Sequence, residues 1–274
     1  MPDLLHPSLP KIVAVANQKG GVGKTTTTIN LAGALAELNI KVLVVDLDPQ
    51  GNASTGLGVL PQNRRVTSYD LLVDDVPLSE AVQHLDVQNI SIIPATTDLS
   101  SADIELFANE KRSFLLHDAL RQPDMSRFGF EYILIDCPPS LNLLTVNAMV
   151  AADAVLIPLQ SEFFALEGLS QLMMTIREVR QKANPELRIE GVLLTMVDTR
   201  NNLAQQVESD VRETLGDLVY ATRIPRNVRL SEAPSFAQTI LDYDSNSKGA
   251  AAYRGLAVEF LAAQNIRARE NKHD

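Results

Sequence analysis

The stretch from Lys11 to Asp48 reads K-I-V-A-V-A-N-Q-K-G-G-V-G-K-T-T-T-T-I-N-L-A-G-A-L-A-E-L-N-I-K-V-L-V-V-D-L-D and decides the fold. Its first six residues, Lys11 to Ala16, form a short, mostly apolar, β-branched run, the pattern of a strand buried on both faces of a parallel sheet. A glycine-rich turn follows at once. Gly20, Gly21 and Gly23 carry no Cβ, so the backbone around Val22 can curl and turn its N–H groups inward as a nest for phosphate oxygens. Lys24 then adds a point charge for the β- and γ-phosphates, and the Thr25 hydroxyl, followed by Thr26, is placed to hold Mg²⁺. From Thr25 to Leu38 the apolar residues Ile29, Leu31, Ala32, Leu35 and Leu38 recur at helical spacing. The phosphates would therefore sit on a helix N-terminus, where the macrodipole favours negative charge.

Working outward, Lys41 to Asp46 is a second buried-type strand running into D-L-D-P-Q-G-N. Carboxylates at the C-terminal end of such a strand lie where open α/β sheets bind ligands. Asp48 is thus a candidate for positioning an attacking water and, through water, for the metal. Asp46 is a candidate for supporting Mg²⁺ or the loop. Further on, Glu131 to Asp136 is a hydrophobic strand ending in an aspartate ahead of C-P-P-S, which is the Walker B arrangement. Asp136 would accept from Mg²⁺-bound water or from the loop threonine if this strand lies beside the first.

The remaining spacing predicts short helices between Val66 and Leu85, a third strand from Asn89 to Pro94, and helices from Thr97 to Ala108 and Ser113 to Arg121. A loop is expected from Gln122 to Gly129 and a helix from Leu141 onwards. Strands at Asp153 to Leu159, Arg188 to Val197 and Val219 to Ile224 alternate with helices at Ala165 to Lys182 and Asn202 to Leu215, and a last helix spans Lys248 to Asn265. Alternating strands and helices mean crossover units and an α/β fold, a mostly parallel twisted sheet with helices on both faces. A single domain is expected over residues 11–266, with a flexible arm at 1–10 and a polar tail at 267–274.

With 274 residues, 45% hydrophobic content and a net charge of −10, the chain can bury a large core but carries no global basic coat. Any polyanion partner must meet a local patch. One cysteine, Cys137, excludes a disulfide framework and a thiolate set for zinc or an iron–sulfur cluster, and fits a reducing, cytoplasmic setting. No apolar run has the length needed to span a bilayer, so no membrane partner is expected.

The loop departs from the usual P-loop, because Lys19 stands where that motif has its first glycine. K-G-G-V-G-K-T-T resembles the deviant Walker A loop of the ParA/MinD/nitrogenase-iron-protein class of P-loop NTPases. D-L-D-P-Q-G-N, D-C-P-P-S, I-P-R-N-V-R-L-S-E-A-P-S and S-K-G-A-A-A-Y further resemble the ParA/Soj chromosome and plasmid partition ATPases, over nearly the whole chain from Lys11 to about Leu261. The resemblance implies ATP and Mg²⁺ as ligands and an ATP-sandwich homodimer that binds double-stranded DNA without sequence preference. It also implies release by hydrolysis that a ParB-type partner stimulates, and association with the nucleoid. On the matching positions, Lys19 would reach the partner's nucleotide in trans and Lys24 would hold the phosphates. Thr25 would ligate Mg²⁺, Asp48 would position water, Asp136 would be the Walker B residue, and Pro225 and Asn227 would meet the adenine. Arg200 and Arg229 match positions used for DNA, with Lys248 a further candidate. Three arginines, Arg223, Arg226 and Arg229, occur between Leu218 and Ser231 with no acidic residue before Glu232. A MinD-like membrane-associated positioning ATPase is the alternative. It would need an amphipathic C-terminal helix with a bulky apolar face, whereas this tail offers mostly alanine.

Overall fold

The computed structural model describes residues 9–122, 125–162, 165–198, 200 and 202–270. Most of the expected N-terminal arm, residues 1–8, and the end of the expected tail, residues 271–274, lie outside the described residues. Strands β1 (Lys11–Val15), β2 (Val42–Asp46), β3 (Gln83–His84), β4 (Ile90–Ile93), β5 (Tyr132–Asp136), β6 (Ala154–Gln160), β7 (Arg188–Val197) and β8 (Val219–Pro225) form one sheet. Their spatial order is β3-β4-β2-β5-β1-β6-β7-β8. Every neighbouring pair is parallel except the edge pair β3 and β4.

Alternation along β1 explains its central place. Ile12, Ala14 and Ala16 join an apolar layer on one face with Leu144, Ala148 and Leu172, and Val13 and Val15 join a layer on the other with Ile29, Leu35, Tyr253 and Phe260. Each fully buried Val, Ile or Leu side chain contributes roughly 1.5–3 kcal/mol relative to exposure. A strand sealed on both faces cannot slip by one residue without exchanging its two layers. The register that results sets Val15 opposite Asp136, and Asp136 opposite Asp46 on β2, so three strand ends meet at one point.

The helix Lys24–Glu37 packs on one face beneath the last helix, Lys248–Glu270, which also covers β8. In that last helix Ala250, Tyr253, Leu256, Ala257, Phe260 and Gln264 are all buried.

The structure departs from the expected elements in several places. The run Thr97 to Ala108 is a 3₁₀ turn, Thr97–Ser101, followed by a short helix, Ala102–Glu105, because Leu99, Ala102 and Leu106 are its buried positions and too few apolar residues face inward to hold a longer helix. Within the stretch read as a loop, Met125–Phe128 is a single helical turn pinned by buried Met125. The two-residue β3 carries no strand pattern of its own and exists only because it pairs with β4. The last helix continues beyond Asn265 to Glu270.

Candidate active site

The turn between β1 and the helix Lys24–Glu37 takes the shape its glycines permit. Gly21 at φ +74° and Gly23 at φ +88° occupy the left-handed region, which side chains with a Cβ rarely adopt. Gly23 is also the N-cap of the helix, and no side chain caps it, so the first-turn N–H groups are free of a side-chain acceptor. That is the arrangement that receives an anion.

The charged residues converge here. Lys24 is buried, and its Nζ donates to the Lys19 carbonyl at 3.0 Å. Burial lowers its pKa, against the opposing pull of Asp136 and Asp48. Thr25 Oγ1 donates to Asp136 at 2.7 Å, and Thr28 Oγ1 donates to the other carboxylate oxygen at 3.2 Å. Asp136 is fully buried, and desolvation together with the neighbouring Asp46 holds its carboxyl well above the usual range. Asp46 accepts from the Ser54 backbone at 2.8 Å, from the Ser54 hydroxyl at 2.7 Å and from the Asp48 N–H at 3.1 Å. Burial nonetheless pushes it up to about 6. These contacts tie Asp46 to the turn that follows β2.

Asp48 is 8% exposed, and its Oδ1 accepts from the Gln50 N–H at 3.0 Å, which aims the carboxylate along the turn that follows β2. Arg64 ties that turn down, donating to the carbonyls of Val59, Ala95 and Gly51 and to the Thr55 hydroxyl. Lys19 lies at the rim, its side chain 41% exposed and ion-paired with Glu162 of the same chain.

Beside the loop, a cavity of about 110 Å³ is lined by Thr26, Met196, Pro225, Asn227, Leu230 and Tyr253 among others. Pro225 and Asn227 both line this cavity. Asn227 also caps the short helix Val228–Glu232, its side chain accepting from the Arg229 N–H at 3.0 Å.

Of the basic candidates, Arg200, Arg223 and Arg229 are each paired with a carboxylate. Arg200 donates to Asp198 through Nε at 3.0 Å and Nη2 at 2.9 Å, and holds that carboxyl down at about 2. Arg229 pairs with Glu232 at 3.0 Å and Asp244 at 3.5 Å, and Arg223 pairs with Glu208 at 3.1 Å. Lys248 opens the last helix beside that segment, since a Cβ on the adjacent Gly249 would meet Leu230 at 2.8 Å.

Sequence reading missed Thr28, Ser54, Arg64, Glu162, Thr195 and Met196. Thr28 was within reach, because it lies one helical turn from Thr25 and Lys24 and so shares their face. Nothing local marks the others: Ser54 and Arg64 come from the segment after β2, Glu162 from just past β6, and Thr195 and Met196 from β7.

The donor set fits a magnesium nucleotide: a left-handed glycine nest, a buried lysine, a hydroxyl backed by a carboxylate, and two buried carboxyls that a nearby cation would relieve of their raised pKa. The profile of the AAA domain family matches residues 10–189. The chain is 54% identical over 257 residues to the chromosome partitioning protein ParA of Caulobacter vibrioides, covering 94% of this chain and 96% of that protein. It is 51% identical to the sporulation initiation inhibitor protein Soj of Bacillus subtilis, covering 92% and 98%. A solved structure named cobyrinic acid a,c-diamide synthase, from Mycobacterium smegmatis with bound ADP and magnesium, superposes with TM-score 0.80 at 38% identity over 93% of this chain and 96% of that one. The cell division ATPase MinD of Pyrococcus furiosus superposes with TM-score 0.74 at 26% identity over 92% and 98%. At half or more identity over almost its whole length to the ParA and Soj proteins, this chain belongs to the ParA/Soj family of partitioning ATPases.

Proposed function

We propose that this protein binds and hydrolyses ATP with Mg²⁺ as an ATP-sandwich homodimer, and that the dimer holds double-stranded DNA without sequence preference until a ParB-type partner stimulates hydrolysis. The observation that carries the reading is the Thr25 hydroxyl held by Asp136 beneath a left-handed glycine loop, with Lys24 buried beside it. Lys24 and the N–H groups of residues 20–26 bind the phosphates. Mg²⁺, when bound, would neutralise phosphate charge, and Thr25 with Asp136 behind it are the residues that would hold it. Asp48 orients the attacking water and accepts its proton. Pro225 and Asn227 bound the nucleoside pocket.

Lys19 acts in trans on this reading. Its exposed position at the rim lets it leave Glu162 for the nucleotide of a second copy, where a cation stabilises charge in the transition state. Arg200, Arg229 and Lys248 supply DNA contacts, and dimerisation doubles them along one face, which suffices for phosphate-driven binding. Non-specific DNA binding would place the protein on the nucleoid.

The membrane alternative is disfavoured by the last helix. Its apolar side is already packed against the sheet, and among the described residues no helix is long and apolar enough to cross a membrane. Identity to the ParA proteins exceeds that to the diamide synthase structure, so partition takes precedence. The test is an ATPase assay with duplex DNA and a ParB-type N-terminal peptide, separately and together. Stimulation is expected most strongly with both, and a rate indifferent to both would overturn the partition reading.

A further inference from the structure

Four consecutive residues at the C-terminal end of β7 each touch a different working part of the molecule. Thr195, 2% exposed, donates its hydroxyl to the Val22 carbonyl inside the glycine loop at 2.8 Å. Met196 lines the nucleoside cavity. The Val197 carbonyl accepts from the Arg226 N–H at 3.2 Å and so fixes the loop that carries Pro225 and Asn227. Asp198 clamps Arg200 with three hydrogen bonds, from the backbone N–H at 3.0 Å, Nε at 3.0 Å and Nη2 at 2.9 Å.

The backbone between these contacts is strained at one place. Met196 has φ +52°, in the left-handed region that costs an unbranched residue free energy and persists only where its surroundings enforce it. An extended conformation at that residue would relieve the local strain. Met196 lies past the last residue of β7 that pairs with β6, so a change there would turn Asp198 relative to Val22 and keep that ladder, at the cost of the Val197 pairing with Pro225 on β8. The strained residue is the point in the segment where a change at one end could be passed to the other.

We propose that residues 195–198 couple the phosphate loop to Arg200: a shift of the Val22 carbonyl, carried by Thr195 through Met196, moves Asp198 and frees the Arg200 guanidinium for a DNA phosphate. Thr195 is a positioning residue that acts on DNA binding from the nucleotide side, and Asp198 is a carboxylate that occupies the phosphate's place. The inference rests on the DNA reading above and adds the route by which nucleotide governs it.

The test measures duplex DNA affinity at saturating ATP and at saturating ADP, so that altered nucleotide affinity does not enter, in wild type and in Thr195→Val, Thr195→Ser and Asp198→Asn. Wild type is expected to bind more tightly with ATP. Thr195→Val keeps the shape and removes the hydroxyl, and its ATP-state affinity is expected to fall so that the ATP-to-ADP ratio drops by about fivefold or more, the lower range of ordinary coupling. Thr195→Ser restores the hydroxyl and is expected to restore the ratio. Asp198→Asn is expected to raise the ADP-state affinity towards the ATP value. A wild-type ratio retained by both Thr195→Val and Asp198→Asn overturns the coupling route alone. A wild-type protein that binds DNA in neither state overturns the DNA reading and the route with it.

Discussion

At the C-terminal ends of their strands, the flank of β1 that carries β5 and β2 and the flank that carries β6, β7 and β8 hold their charges in opposite ways. On the first, Asp46 and Asp136 are sealed from solvent and fixed by hydroxyl and amide donors from Thr25, Thr28, Ser54 and Asp48. On the second, Arg200, Arg223 and Arg229 are exposed and paired with nearby carboxylates. A buried carboxylate that loses a donor has no water to replace it, so the first arrangement is rigid. An exposed pair contributes about 0–1 kcal/mol, so the second arrangement is held weakly.

Substitutions break this comparison at graded points. Asp48→Ala is expected to lower turnover by roughly 10²–10⁴-fold, the range for a lost general base. It should still form the ATP-dependent dimer, which steady-state ATPase and sedimentation will read together. Lys24→Ala removes a charge-assisted contact to the phosphates and should weaken ATP binding by about 100-fold, roughly 3 kcal/mol, in titration calorimetry. Arg200→Glu should leave the dimer intact and reduce duplex affinity about tenfold or more, with a log–log salt slope shallower by about two because each dimer loses two contacts. Wild-type binding that ignored salt would contradict the phosphate contacts altogether.

The smallest effect concerns pH. The folded pKa of Asp46, about 6, lies above its ordinary value of 3.8, so the folded state holds that proton more tightly than the unfolded chain. Its contribution to stability therefore declines as pH rises from about 4 to 6 and stays low above that window. Asp46→Asn should flatten this part of the profile in denaturant melts taken across the window from about pH 4 to 7.

Much of the first flank was legible in sequence because its geometry is local. A strand, a glycine turn and a helix follow one another, and Asp46 and Asp136 announce themselves as acids at the ends of apolar strands. Their meeting depends on β5 lying between β1 and β2, which no local pattern encodes. The second flank was legible only as arginines. Asp198 stood two residues from Arg200 in plain view, yet its clamp depends on a turn geometry that sequence does not specify. Glu162 and Lys19 are far apart in the chain and meet only because β6 continues alongside the loop that leaves β1. Thr195 bonds the glycine loop from β7, which is separated from β1 by a strand, and only the folded sheet reveals it.

The central claim is that each copy lends Lys19 to the other's nucleotide, and mixing two inactive variants tests it most directly. Lys19→Ala and Asp48→Ala proteins are combined before ATP is added, and turnover is compared with each alone. In a mixed dimer, the site that keeps Asp48 receives Lys19 from its partner, so the mixture should hydrolyse ATP well above the sum of the two. A mixture no more active than that sum would place Lys19 in its own site and contradict the shared-nucleotide dimer.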